Sequence, residues 1–292
     1  MNVRHRVFSA FFCPVCARAP DSASWPFVAS VLTDPPVPAD HRIAYGEGAL
    51  QFGELRLPRV TGRRPAVIAI HGGFWRAAYD LTHLSHLCAA LTRAGFVTWS
   101  LEYPRIGQPG GGFPGTLQDV ARGIGFLGSL AKPYAIDLQR VVAIGHSAGG
   151  HLALWSAARA RFKSALHIER DPVALKGVVA LAAVSDLAEG HALGLGDGAV
   201  GDFMGGSPHD FPDRYAIASP AALLPLGIKQ ILVHGTEDDV VPASMSVHYF
   251  EKASEAGDRV ALTPLRGMGH FDPIDPDSAA WPEVLAAVKK LV

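Results

Sequence analysis

A buried strand that runs without a spacer into a helix leaves few folds open, and residues 141–155, VVAIGHSAGGHLALW, have that form. At the junction lies G-x-S-x-G, as Gly145-His146-Ser147-Ala148-Gly149. A turn this tight forces the central residue into a strained backbone conformation, and side chains at the flanking positions would clash. Glycines there relieve the crowding because they lack Cβ. The serine is thereby raised at the carboxyl end of the strand, with its hydroxyl beside a helix N-terminus, as a nucleophile elbow requires. An ordinary Ser/Gly turn has no need of strand before and helix after, so Ser147 is the candidate nucleophile.

The rest of the chain repeats the strand–helix alternation. Ala66–Ile70, Phe96–Leu101, Gly177–Val184 and Gln230–Val233 are short apolar runs of the buried-strand type. Between and after them, 81–94, 116–130, 148–160, 243–256 and 278–291 have helical spacing. Two-sided apolar strands alternating with helices predict a mostly parallel sheet covered on both faces, an α/β fold. Residues 44–57, broken by glycines, predict an antiparallel strand or hairpin at the sheet edge. Residues 41–292 are thus expected to form a single domain, preceded by an irregular lead-in at 1–40 that is rich in Pro, Ala and Ser. Residues 186–219 interrupt the alternation with a long Gly- and Pro-punctuated connection, expected to be a small cap over one end of the sheet.

Composition closes off several classes of function. With Lys+Arg 26 against Asp+Glu 27, no basic excess exists to attract nucleic acid or an anionic membrane surface. No uninterrupted apolar run reaches the roughly 18 residues a membrane-spanning helix needs. Three cysteines are too few, and odd in number, for a disulfide-framed secreted domain. Cys13-Pro14-Val15-Cys16 has C-x-x-C spacing but no second ligand pair, so it reads as incidental and no metal is expected. Cys88 reads as a small buried hydrophobe. The first twenty residues resemble a secretion signal, but the apolar stretch is short and Pro14 and Pro20 disfavour cleavage, which favours a cytoplasmic chain. Self-association is left open.

Acyl transfer needs donors for the developing oxyanion, a base for the serine and a carboxylate to orient that base. His71-Gly72-Gly73-Phe74-Trp75 directly follows the strand 66–70, where glycines let the main chain approach a substrate. The expected donors are the amides of Gly73, Phe74 and Ala148. Among α/β-hydrolases the acid and then the histidine follow the serine in chain order. Glu237, Asp238 and Asp239 follow a buried strand, and His270 lies beyond them in a glycine-rich loop, Gly267-Met268-Gly269-His270. His71, His146, His151 and His234 precede the acids and read as structural or pocket-lining.

HGGFW, GHSAGG, HGTEDDVVP and GHFDPIDP together resemble the α/β-hydrolase esterases close to kynurenine formamidase (arylformamidase) and the small bacterial carboxylesterases related to the hormone-sensitive-lipase group. The resemblance covers Ala44 to the C-terminus. It implies an α/β-hydrolase fold with a mostly parallel eight-stranded sheet whose first strands are antiparallel. It also implies a Ser147–Asp238–His270 triad and no cofactor. Asp238 is preferred over Asp239 because it matches the family pattern H-G-x-x-D-x-x-V-P. HGGFW in place of HGGG leans toward the formamidase branch and leaves the second oxyanion amide open. Trp75, Tyr79, Tyr103, His146, Phe203, Met204 and Phe271 are the candidate pocket residues, suited to a small aryl or short-acyl substrate. Small esters rank first as substrates and N-formylkynurenine-type formamides second. A non-catalytic binding module of the same fold is the reading from another class; such modules lack one or more triad members, which this chain retains.

Overall fold

A computed structural model of the chain describes residues 30–167 and 172–292, so the Cys13/Cys16 pair and the signal-like stretch lie outside the described residues. Eight strands form one sheet: β1 (His41–Ala44), β2 (Phe52–Arg56), β3 (Arg64–Ile70), β4 (Val97–Leu101), β5 (Ile136–His146), β6 (Gly177–Leu181), β7 (Lys229–Gly235) and β8 (Val260–Leu265). Their order is β1-β2-β4-β3-β5-β6-β7-β8. The β1–β2 and β2–β4 pairings are antiparallel and the other five parallel, which is the α/β-hydrolase arrangement.

The period-two alternation of the central strands divides the interior into two cores. Ala66, Ile68, Ile70, Val141, Ala143, Val178 and Ala180 face one core. That core is closed by α3 (Gly115–Leu130), α4 (Ala148–Ala158) and α8 (Ala243–Glu255). The intervening residues Val67, Ala69, Val142, Ile144, Val179 and Leu181 face the other core, which is closed by α2 (Ser85–Arg93) and α9 (Trp281–Leu291). Burial on both faces explains why these strands carry apolar residues at every position.

Two strands differ from the sequence expectation. β5 begins at Ile136, ahead of the apolar run at Val141, because Gln139 and Arg140 are exposed and interrupt the hydrophobic signal. β8 was hidden by its composition: it is an edge strand, mostly half-buried, with Pro264 inside it, and an edge tolerates the missing N–H.

Both segments outside the alternation carry local structure among the described residues. Residues 186–219 hold three short helices, α5 (Leu187–Ala192), α6 (Leu195–Met204) and α7 (Pro212–Ala218). Left-handed backbone at Gly196, Asp197 and Gly198 breaks α6 internally, which is why no helical periodicity is visible there. The described part of the lead-in has one helical turn, α1 (Ser30–Thr33), and then runs extended along α2.

Candidate active site

β5 delivers the chain to Ser147 and α4 starts at the next residue. Ser147 has φ 56° and ψ −121°, strained values for a residue with a side chain. A Cβ on Gly145 would sit 2.0 Å from the Gly149 carbonyl oxygen, and one on Gly149 would sit 2.0 Å from that of Ile70. Both glycines of the motif are therefore required by close backbone approach. The Ser147 amide donates to Leu181 O at 2.8 Å, which ties the elbow to β6.

The loop after β3 lies against this elbow: a Cβ on Gly72 would be 2.7 Å from the His146 carbonyl oxygen. Gly73, Phe74 and Trp75 all have positive φ (102°, 51° and 54°), turning the chain sharply over the serine. Among the described hydrogen bonds, none uses the amides of Gly73, Phe74 or Ala148 as donor. Glu102, buried at the end of β4, holds the loop at both ends. Its carboxylate accepts from His71 Nε2 (3.2 Å) and from the Leu81 amide (3.2 Å), and pairs with Arg105 Nη1 at 3.2 Å. Burial alone would raise the Glu102 carboxyl, but the His71 hydrogen bond, the charges of His71 and Arg105 and the Tyr103 amide hold it below the usual range. Tyr103 Oη donates to His71 O at 2.7 Å and its ring stacks on the imidazole. The insertion supports the same loop: Phe203 stacks on Trp75, and Arg76 donates to Gly196 O at 2.9 Å.

Beyond β7, the Asp238 side chain is fully buried and Glu237 and Asp239 are exposed. Asp238 Oδ2 accepts from His270 Nδ1 at 2.7 Å and from His234 Nε2 at 3.0 Å. Oδ1 accepts the Val240 and Val241 amides at 2.9 and 2.8 Å. Burial would raise this carboxyl; the bonds from His234 and His270, with the His270 charge and the Val241 amide, overturn that and hold it well below the carboxylate range. With Nδ1 bound to Asp238, His270 has Nε2 free to serve as a base. Ser147 and His270 line one cavity, and no described hydrogen bond joins the serine hydroxyl to the imidazole. Such bonds are commonly long before substrate arrives.

A second chain of imidazoles backs the site. His146 Nε2 lies 2.9 Å from His270 O, and a carbonyl only accepts, so this nitrogen carries the proton. His146 Nδ1 must then accept from His83 Nε2, 2.8 Å away. Burial, followed by the neighbouring imidazoles His71 and His270, pushes His83 down to about 3; burial with His270 and His83 likewise lowers His146 well below its ordinary value. Both rings are thus neutral near pH 7, consistent with the directed chain of donors. Sequence reading passed over His83 because nothing in Leu81–Leu84 marks it as more than one of thirteen histidines.

The cavity has a volume of about 750 Å³. Of the candidate pocket residues, Tyr79, His146 and Phe271 line it, together with Gly73 and Phe74 of the donor loop. Trp75, Tyr103, Phe203 and Met204 do not: all four are buried in the first core, because the donor loop folds them inward beneath itself or the insertion packs them there. No residue of 186–219 lines the cavity; its remaining apolar lining comes from Val31, Leu32, Pro35 and Pro36 of the lead-in, with Ala78 and Val240. No described Lys or Arg lines it, and Asp34 and Asp80 do. Among the described residues no group of three or more His, Cys, Asp or Glu is placed to hold a metal ion.

Comparison with known proteins agrees with this fold. The BD-FAE family model matches residues 54–253. A probable isoprenylcysteine alpha-carbonyl methylesterase of Oryza sativa subsp. japonica is 25% identical over 245 residues, covering 79% of this chain and 56% of that protein. A counterpart from Arabidopsis thaliana is 26% identical over 250 residues, covering 79% and 50%. The chain therefore spans about half the length of the curated relatives it matches. Among solved structures, esterase B from Lactobacillus rhamnosis superposes with a TM-score of 0.75 at 20% identity, covering 89% of this chain and 90% of that one. A truncated carbohydrate esterase from gut microbiota gives 0.74 at 20% identity, covering 88% and 96%. These two likenesses establish the shared fold.

Proposed function

The chain belongs to the BD-FAE family of α/β-hydrolase esterases, and from that premise we propose that it is a serine carboxylesterase acting on small neutral esters. The observation that carries this reading is the meeting, in one cavity, of an elbow serine, a carboxylate-bound histidine and a loop of unengaged amides.

The reaction follows from those parts. His270 Nε2 takes the Ser147 proton as Oγ bonds to the ester carbonyl carbon. Negative charge moves to the carbonyl oxygen, where the amides of Gly73, Phe74 and Ala148 are the available donors. The tetrahedral species collapses, the C–O bond to the alcohol breaks, and His270 returns its proton to the departing oxygen. Water then attacks the acyl-serine with His270 again as base, releasing the acid and restoring the hydroxyl. Asp238 orients His270 throughout and stabilises the imidazolium formed in each half.

Ester is favoured over N-formylkynurenine-type formamide by the relatives and not by charge. That formamide is a zwitterion near neutral pH, so Asp34 and Asp80 in this cavity would repel its carboxylate and attract its ammonium, and charge does not choose between the two substrates. The methylesterase names of the plant relatives lean toward esters and add methyl esters to the substrates worth trying.

The test compares kcat/KM for p-nitrophenyl acetate and N-formylkynurenine, alongside labelling with a fluorophosphonate probe. Labelled wild-type protein, unlabelled Ser147→Ala and faster ester turnover are expected. A preference for the formamide would reverse the substrate assignment. Unlabelled wild-type protein would leave a binding module of the same fold.

A further inference from the structure

We propose that the lead-in strap Val31–Pro36 is the specificity-determining wall of the cavity, limiting the size of the apolar group a substrate carries beside Ser147. The inference rests on Ser147 being the nucleophile and adds to it the element that selects the substrate. The family model's match begins at residue 54, after this wall.

The strap is fixed at both ends. At one end Val31 is 6% exposed and belongs to the second core, with Leu84 and Leu87. At the other, the Val37 amide donates to Ser85 Oγ at 3.2 Å, and the buried Arg56 donates through Nη2 to Val37 O at 2.7 Å. Between these anchors residues 32–36 are exposed and line the cavity, with Pro35 and Pro36 restricting the backbone. Leu32, Pro35 and Pro36 contribute to the cavity lining, while Tyr79 and Phe271 supply apolar surface from the body of the domain. The insertion at 186–219, the segment expected to cover the site, gives the cavity no residue.

A wall built from exposed side chains is a size filter that point substitutions can adjust. Leu32 is the position of choice because it is 37% exposed, so its replacement costs little core packing. In the full chain, the ratio of kcat/KM for p-nitrophenyl hexanoate to that for p-nitrophenyl acetate is measured for wild type, Leu32→Ala and Leu32→Trp. Leu32→Ala is expected to raise the ratio about threefold to tenfold and Leu32→Trp to lower it about tenfold, within the discrimination that apolar pockets achieve. Melting temperatures should stay within about 2 °C of wild type, as for a substitution that disturbs little packing. Any pattern other than opposite shifts overturns the wall.

If no ester is turned over, the nucleophile reading fails separately. The wall is then decided by binding of the fluorescent apolar probe N-phenyl-1-naphthylamine to the same three proteins. Binding weakened about tenfold by Leu32→Trp upholds it, on the same pocket-size argument, and equal affinities overturn it.

Discussion

Asp238 accepts four hydrogen bonds, two imidazole donors on one oxygen and two backbone amides on the other. That density of donors, more than any single one, keeps a side chain with no exposed surface ionised. Asp238→Asn keeps the shape but puts an amide where His270 requires an acceptor, so turnover should fall about 10⁴-fold, read as kcat on p-nitrophenyl acetate. The same carboxyl is a stability element. Its folded value lies below the unfolded one, so its contribution is complete above about pH 4 and is lost as the pH falls further. Asp238→Asn should therefore melt below wild type at pH 7, and the gap should narrow in titrations below about pH 4. For Ser147→Ala a loss of about 10⁶-fold in kcat is expected, the scale seen when a serine nucleophile is removed. Choosing Asp238 among three adjacent acids needed the family pattern, since spacing alone does not tell a buried carboxylate from its exposed neighbours. His234 opens that same pattern four residues before Asp238, but the pattern gave no sign that its imidazole shares the acid with His270.

The donor loop is an element whose two ends converge on Glu102. One carboxylate binds His71 where the loop leaves β3 and Leu81 where it re-enters regular structure. Glu102→Gln retains an acceptor but removes the charge facing Arg105 and His71, loosening a loop that already holds three consecutive positive φ values. Its kcat should fall on the order of tenfold to a hundredfold with KM changing far less, because misplaced donors weaken the transition state more than the ground state. A KM effect alone would show that Glu102 shapes the cavity and not the donors. At the elbow, Gly149→Ala would drive a methyl into the Ile70 carbonyl at 2.0 Å, and a loss of soluble folded protein is expected on expression. These glycines were legible from the motif. Glu102 was not, since a single charged residue after a buried strand looks like the start of any surface loop until the contacts of its side chain are known.

Across the whole molecule, the sheet brings histidines into the dry region between elbow, insertion and α2. His83, His146 and His151 are all held neutral chiefly by burial, His83 near 3 and His151 near 4. Their folded values lie below the unfolded value of about 6.5, so the unfolded chain takes up protons first and stability declines as the pH falls below about 6.5. His151 donates to Ala218 O at 3.0 Å, a bond that glutamine can replace without titrating. His151→Gln should flatten the fall in stability between about pH 6.5 and 4 by up to about 1.4 kcal/mol per pH unit, checked by denaturant unfolding across that range. An unchanged slope would mean that His151 is protonated in the folded chain.

Fold class, the antiparallel pairing at the sheet edge, the elbow and its glycines follow from sequence, because strand burial and tight turns impose their residue types on consecutive positions. β8 escaped because a half-exposed edge strand imposes no such pattern. What only the tertiary structure decided is which segments surround Ser147. Cavity walls are assembled from residues far apart in the chain, and the exchange of roles between the insertion and the lead-in shows why. Trp75 and Phe203 are aromatic like Tyr79 and Phe271, yet the first two stack together in the core while the others face the cavity. Hydrophobicity drives each side chain out of water with equal indifference to destination, and only packing distinguishes a core from a pocket.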